Sequence, residues 1–163
     1  MFNIKIESYN NFYKDQIIQL ILKIQTEEFG IAIAIEDQPD LEQIPKFYQK
    51  GKGNFWVALD NKHVIGTIAL IDLGNGQAAL RKMFVDKSYR GKEIGVAQAL
   101  LNEVITWCKN KQICEIYLGT TSAFLAAHRF YEKNGFQEIL KDVLPPTFSL
   151  MQVDSKFYMK TVL

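Results

Sequence analysis

The 163-residue sequence predicts an α/β protein with a mixed sheet of six or seven strands flanked by about four helices. Three consecutive apolar segments joined by turn signals predict an antiparallel meander. The third segment is followed by a long amphipathic helix and then by a short apolar strand. A crossover of this kind makes the two strands that it joins parallel to each other.

The N-terminal third predicts one strand, one helix and a segment for which two structures are compatible with the sequence. Residues 3–8 alternate isoleucine with charged side chains, which is the period of a half-buried strand. Over residues 15–29 the apolar side chains share one helical face, and Gly30 ends the helix. Residues 31–40 are compatible with a short strand or with an ordered lid. Two prolines restrict any helix within residues 41–50 to a short one.

The central part predicts the meander and the crossover. Strands over residues 54–59 and 64–71 are joined by an Asp-Asn-Lys-His turn, and a Gly-Asn-Gly turn leads into a third strand over residues 77–85. A helix over residues 91–110 carries one apolar face that must pack on this sheet. The strand parallel to the third one is then expected over residues 114–118.

The C-terminal part predicts one more helix and two more strands. The helix covers residues 125–134 and is stopped by Gly135, and Phe136 begins the next strand. Residues 156–163 alternate well enough for a closing strand after a linker that contains two prolines.

Composition predicts a single domain over residues 1–163. A chain of this length buries about 68–70% of its unfolded surface, so it needs neither disulfides nor metal. Cys108 and Cys114 are the two cysteines, and no C-x-x-C pair or histidine cluster accompanies them. We therefore expect reduced thiols and no metal site.

Charge and hydropathy restrict the partners. A net charge of +1 argues against a dedicated nucleic-acid-binding protein, which would be strongly basic. No segment approaches eighteen consecutive apolar residues, and the N-terminus lacks the features of a signal peptide. The sequence predicts a soluble, cytoplasmic protein with no membrane partner.

One turn in the middle of the chain has the features of an anion site. It reads Arg90-Gly91-Lys92-Glu93-Ile94-Gly95 and opens directly into the long helix. Such a turn directs unpaired backbone N–H groups and the positive end of the helix dipole at one point, which favours a phosphate. Neither the Walker pattern nor the G-x-G-x-x-G pattern of dinucleotide sites is present.

Two motifs resemble the GNAT superfamily of acetyl-CoA-dependent N-acetyltransferases. The turn is similar to the family's pyrophosphate loop, Q/R-x-x-G-x-G/A, with Glu93 at the place of the first glycine. Residues 126–139 read AAHRFYEKNGFQEI and resemble the family's A-x-x-x-Y-E-K-x-G-F segment. The resemblance implies that the sheet splays apart after the crossover and that the turn binds coenzyme A.

The resemblance also implies which residues contact the cofactor. Arg90, Lys92 and the backbone from Gly91 to Val96 would hold the pyrophosphate. The main chain of Phe84 and Val85 would pair with the pantetheine arm and polarise the thioester carbonyl. The cofactor residues are thus Phe84, Val85, Arg90, Gly91, Lys92, Glu93, Ile94, Gly95, Val96 and Thr120. Thr120, with Thr121 and Ser122, is a candidate for the polar contact that the family makes through an asparagine, which is Phe124 here.

The catalytic residue implied by the resemblance is Tyr131, whose phenol would protonate the departing thiolate. His128 is expected to be a solvated surface residue. Many family members carry a carboxylate base on the strand before the loop, but residues 80–83 here read Leu-Arg-Lys-Met. Glu27, Glu28, Glu36 and Asp37 are unranked candidates for the base, and each is also compatible with a solvated surface carboxylate.

The predicted function is transfer of an acetyl group from acetyl-CoA to a primary amine by direct attack in a ternary complex. The acceptor is an amine of a small molecule, an amino acid or a peptide. A non-catalytic acyl-CoA-binding or regulatory module with the same fold is the alternative. Acylation of Cys114 is a distant alternative to direct attack, since no histidine partner is positioned by the sequence. A monomer and a homodimer are both compatible with the sequence.

Overall fold

The structure is a computed structural model that describes residues 2–122, 124–151 and 153–163. Seven strands form one sheet. They are β1 (Ile4–Ser8), β2 (Asn54–Asp60), β3 (His63–Gly74), β4 (Gln77–Val85), β5 (Glu115–Thr120), β6 (Gln137–Ile139) and β7 (Lys156–Thr161). Their order across the sheet is β1-β2-β3-β4-β5-β7-β6, and β4 and β5 are the parallel pair. The predicted mixed sheet, its meander and its crossover are therefore confirmed.

Five α-helices lie in the described part of the chain. They are α1 (Lys14–Lys23), α2 (Pro39–Glu42), α3 (Ile44–Phe47), α4 (Val96–Asn110) and α5 (Leu125–Lys133). None of the helices in these residues is long and apolar enough to cross a membrane.

The main differences from the predicted elements concern the end of the first helix, the start of the long helix and residues 31–37. The first helix is α-helical to Lys23 and continues as a π-helical turn, Ile24–Glu28, instead of running as one helix to residue 29. The long helix begins at Val96, since Gly95 before it has a φ of 73°, which is left-handed. Residues 31–34 form no regular element, and a 3-10 turn, Ile35–Asp37, follows them.

The sheet separates two apolar layers, because alternate residues of β2 point to opposite faces. Trp56 lies on the face covered by α4, where it joins Leu100 and Val104. Phe55 lies on the face covered by α1, together with Ile17. These side chains are all at most 1% exposed.

The two cysteines are free thiols, as predicted. Cys108 is buried on α4, and burial raises the pKa of its thiol to about 12. Cys114 is exposed at the start of the chain's path into β5. Burial of Cys108 disfavours the thiolate that a cysteine nucleophile needs.

Strands β4 and β5 pair along only three residues each. Gln77, Ala78 and Ala79 lie opposite residues 115–117, whereas β4 continues to Val85 and β5 to Thr120. From Leu80 onwards the edge of β4 that faces β5 therefore has no strand partner, and the sheet opens into a fork. The splayed sheet implied by the resemblance is confirmed.

A β-bulge in β4 lies just beyond the residues that pair with β5, with Leu80 and Arg81 between them. Thr67 is opposite Phe84 and Ala69 is opposite Arg81, so two residues of β4 face a single residue of β3. Lys82, inside the bulge, has a left-handed φ of 50°. The buried Thr67 hydroxyl donates a 2.7 Å hydrogen bond to the Lys82 carbonyl and satisfies a group that the bulge removes from the ladder.

We expect Thr67→Val to destabilise the protein by about 1–3 kcal/mol, because it leaves the Lys82 carbonyl without its buried donor. Thr67→Ser keeps the hydroxyl and loses one methyl group, at a cost of about 0.8 kcal/mol. Urea denaturation of the three proteins measures both differences. Wild-type stability in Thr67→Val would show that the hydroxyl does not stabilise the bulge.

Candidate active site

The fork between β4 and β5 contains a groove of about 830 Å³. It extends from the opened sheet to the N-terminus of α4. Its walls are the end of β4, the loop between β4 and α4, the first turn of α4, the side of α5 and the end of the π-helical turn. Six of the ten predicted cofactor residues line it, namely Phe84, Val85, Arg90, Gly91, Lys92 and Gly95.

The outer end of the groove is built from the loop before α4. Gly91 and Gly95 have φ values of 119° and 73°, which L side chains rarely adopt. The Gly95 N–H donates to the Gly91 carbonyl at 3.0 Å and closes the loop into a tight turn. The first N–H groups of α4 have no helical partner and point into this turn, so they can bind an anion.

Two lysines line the same end of the groove. Lys92 comes from the loop and Lys133 from the last turn of α5. Contact with Lys92, through a hydrogen bond and then through charge repulsion, lowers the pKa of Lys133. An anion between the two ammonium groups would remove this repulsion. Lys133 belongs to the motif quoted above, but sequence reasoning gave it no role because the motif does not show that α5 ends beside the loop.

Arg90 is engaged by other protein groups. Its Nη1 and Nη2 atoms donate to the two carboxylate oxygens of Glu28 at 2.6 and 2.7 Å, and its Nε donates to the Val85 carbonyl at 2.8 Å. The hydrogen bonds from Arg90 are the main reason why the pKa of Glu28 is lowered. Arg90 thus joins the end of β4 to the π-helical turn, and Glu28 is not a free base.

The main chain of Val85 points into the fork. Asp86 N–H donates to the Ile65 carbonyl at 2.8 Å, so Asp86 bonds to β3. Because successive residues of a strand direct their N–H and C=O groups to opposite sides, Val85 directs both groups away from β3. Its N–H is therefore a main-chain donor on the groove side of β4, whereas that of Phe84 faces β3.

Tyr131 lies at the inner end of the groove, on α5. Its ring packs against Phe136 and Tyr158, and its hydroxyl is 3.8 Å from the Met83 sulfur. The residue is 9% exposed, and burial raises the pKa of its phenol. The hydroxyl is therefore protonated at neutral pH and can donate a proton or a hydrogen bond into the groove.

The other four predicted cofactor residues do not line the groove. Glu93 is exposed and is not among the residues that line the groove. Ile94 packs against the core and Val96 is buried within it. Thr120 is buried at the end of β5, where its carbonyl accepts a hydrogen bond from Ser155 N–H at 2.9 Å.

Phe124 and His128 differ from expectation in opposite ways. Phe124 lines the groove and packs against Phe29 with ring centroids 4.5 Å apart, so an aromatic pair spans the fork where the family has an asparagine. The prediction that His128 is a solvated residue is wrong. It is 6% exposed, and its Nε2 lies 2.8 Å from the Thr121 carbonyl. That contact ties α5 to the turn after β5.

The remaining base candidates lie outside the groove walls. Glu27 and Glu36 are exposed, and the Asp37 carboxylate accepts a 3.0 Å hydrogen bond from Ala34 N–H. Within residues 2–122, 124–151 and 153–163 no group of three or more His, Cys, Asp or Glu side chains could hold a metal ion.

Sequence comparison with known proteins identifies a family and several relatives. The profile of the Acetyltransferase (GNAT) family matches residues 18–136. A relative is the N-acetylaspartate synthetase of Xenopus tropicalis, 38% identical over 104 residues, which are 61% of this chain and 37% of that protein. The chain spans between 33% and 37% of the length of the N-acetylaspartate synthetases that it matches.

Solved structures cover the chain almost completely. An acetyltransferase of the GNAT family from Staphylococcus aureus Mu50 is 45% identical and covers 99% of this chain and 100% of its own, with a TM-score of 0.94. The PaiA N-acetyltransferase of Thermoplasma acidophilum, solved in complex with coenzyme A, covers 98% and 99% with a TM-score of 0.75. At 19% identity the latter similarity concerns the fold alone.

We expect Lys133→Gln to weaken binding of coenzyme A by roughly 10- to 100-fold, the loss of one charge-assisted hydrogen bond. Lys109→Gln, which removes an exposed charge at the opposite end of α4, should bind as wild type does. Calorimetric titration measures all three affinities. Added salt should narrow the difference, because Lys133 is solvent-exposed. Equal affinities for the three proteins at low salt would place the phosphates elsewhere.

Proposed function

The chain belongs to the GNAT family of acetyltransferases, and from that premise we propose that it transfers an acetyl group from acetyl-CoA to a primary amine by direct attack in a ternary complex. The proposal takes residues 1–163 as one acetyltransferase domain. The observation that carries it is the buried, protonated Tyr131 hydroxyl at the inner end of a groove whose outer end is an anion site.

The groove suits the parts of acetyl-CoA in order. The N-terminus of α4, Lys92 and Lys133 would bind the phosphates at the outer end. The unpaired edge of β4 would pair with the extended pantetheine arm, since that arm carries amide groups. The thioester would then lie between Val85 and Tyr131.

Besides contacting phosphate, Arg90 would position the end of β4 in this arrangement. Its guanidinium keeps two hydrogen bonds to Glu28 and one to the Val85 carbonyl. It therefore supports the proposal as a positioning residue for the strand edge and the adjoining wall, in addition to any contact with phosphate.

The reaction follows from these positions. The neutral amine attacks the thioester carbonyl carbon, and negative charge develops on the carbonyl oxygen. A hydrogen bond from Val85 N–H would stabilise that charge by an amount on the order of 3 kcal/mol, as in other acyl-transfer enzymes. When the carbon–sulfur bond breaks, the Tyr131 hydroxyl would give its proton to the thiolate. The nitrogen, now bonded to the carbonyl carbon, would lose one proton to water, and Tyr131 would regain a proton from water.

The amine must lose a proton before it attacks, because an alkylammonium has a pKa of about 10.4. None of Glu27, Glu28, Glu36 and Asp37 lines the groove. We propose that water in the groove takes this proton. The residues around the groove would then select the acceptor. The proposal includes amines of small molecules, amino acids and peptide N-termini.

Partners and location remain predictions. We expect an amine acceptor, no nucleic acid and no metal cofactor, in a cytoplasmic monomer or homodimer. Size-exclusion chromatography with light scattering distinguishes the last two.

We expect Tyr131→Phe to lower kcat by about 10²–10⁴-fold, the usual contribution of a positioned proton donor. Affinity for acetyl-CoA should change little, because the proton is needed only as charge develops on sulfur. Tyr117→Phe is the matched control. The Tyr117 hydroxyl donates to Glu115, at the start of β5, and Tyr117 does not line the groove. The measurement is thiol release with an accepted amine. Equal kcat values in Tyr131→Phe and wild type would remove Tyr131 from the mechanism.

A further inference from the structure

Two cations stand on β4 immediately before the groove wall. Arg81 and Lys82 precede Met83, and the bulge lies at this point of the strand. Both side chains extend to the face of the sheet opposite α4 and α5, as their contacts show: Lys82 reaches Gln38 and Asp40, and Arg81 reaches Ser149. This face is the one from which an amine could reach the thioester, because helices α4 and α5 cover the other.

Lys82 is fixed and charge-compensated by the protein. Its Nζ donates to the Gln38 side-chain oxygen at 2.6 Å and lies 3.5 Å from the Asp40 carboxylate. Gln38 is in turn held by two amide hydrogen bonds with Gln25, of 2.8 and 3.1 Å. Gln25 follows Ile24, which lines the groove. This network connects the bulge to the wall formed by the π-helical turn.

Arg81 has fewer direct contacts. Nη2 donates to the Ser149 carbonyl at 2.6 Å, and the guanidinium lies 4.6 Å from the centre of the Phe148 ring. Within the described residues Arg81 forms no ion pair, and its other guanidinium nitrogens have no hydrogen-bond partner. A half-buried guanidinium with free donors is a binding group for a carboxylate, which accepts two parallel hydrogen bonds.

The charges that face Arg81 come from every neighbouring segment. Asp40 lies on α2, where it bonds to Lys82 and to the Tyr48 hydroxyl. Asp154 lies in the connection before β7, and within the described residues its buried Oδ2 atom has no hydrogen-bond partner. Burial lowers the pKa of Arg81, and the charges of Asp154 and Asp40 oppose that shift, although neither carboxylate forms an ion pair with Arg81 in the described residues. A guanidinium with free donors therefore stands near carboxylates, an arrangement that suits a molecule with both a carboxylate and an amine.

We propose that the acceptor is an amino acid or another amine with a nearby carboxylate, and that Arg81 binds this carboxylate. The inference rests on the proposed acetyl transfer and specifies its substrate class. Arg81 would hold the acceptor by its carboxylate on the α1 side of the fork, and the amine would then point past Met83 towards the thioester.

The test uses acceptor pairs that differ only by one carboxylate: L-lysine with cadaverine, L-phenylalanine with phenethylamine, and L-glutamate with 4-aminobutyrate. We expect wild type to prefer at least one carboxylate member by roughly 10- to 100-fold in kcat/KM, the effect of a charge-assisted bidentate contact. Arg81→Gln should bring that ratio close to one, mainly through KM, and Arg81→Lys should keep part of it. Arg129→Gln, which removes an exposed arginine on α5, is the matched control.

The outcomes separate the two proposals. Equal use of both members of every pair by wild type would overturn the inference and leave acetyl transfer intact, as would a carboxylate preference that survives in Arg81→Gln. Failure of every amine as a substrate would overturn the proposed function. In that case, calorimetric binding of the preferred amino acids to the coenzyme A complex tests Arg81 independently. Binding lost in Arg81→Gln supports the inference, and binding unchanged or absent in wild type contradicts it.

Discussion

The loss of pairing between β4 and β5 after three residues determines the rest of the site. A parallel pair that continued to Val85 would satisfy the main chain of β4 and leave no groove. The bulge at Lys82 lies three residues after Ala79, the last residue of β4 that pairs with β5, and bulges bend a strand and increase its twist. The result is an interior strand with an unpaired edge, into which Tyr131 projects from one face while Arg81 stands on the other.

Within the described residues, the cations around the fork are of two kinds: some form ion pairs with carboxylates, and others do not. At the outer end, Lys92 and Lys133 repel each other, and the N-terminus of α4 adds further positive potential. At the inner end, Lys82 pairs with Asp40, whereas Arg81 forms no ion pair in the described part of the chain. Arg90 stands between the two ends and pairs with Glu28. Cationic groups with donors free for a ligand therefore stand at two places, one suited to phosphates and one on the acceptor side.

Sequence patterns predicted the elements well because the period of burial is a local property. All seven strands and the two long helices, α1 and α4, lie where alternation or helical periodicity placed them, and the fork followed from the family resemblance. The ends of the elements were harder to predict from the sequence. The start of α4 depends on the left-handed conformation of Gly95, and the π-helical turn after Lys23 has the same apolar spacing as an α-helix.

The site was predicted where it depends on main-chain position and missed where it depends on distant contacts. Glu93 departs from the family motif, but its side chain is not among those that line the groove. The burial of His128, the pairing of Glu28 with Arg90 and the convergence of Lys133 on Lys92 each join segments far apart in the chain. No local pattern carries that information.

We propose that acetyl-CoA occupies the fork and pairs with the free edge of β4. Hydrogen exchange of individual backbone amides, followed by NMR with and without saturating acetyl-CoA, measures this pairing. We expect exchange at Val85 to slow when acetyl-CoA binds, while Val57, in the buried middle of β2, keeps its rate. Unchanged exchange at Val85 in a sample that calorimetry shows to be saturated would contradict it.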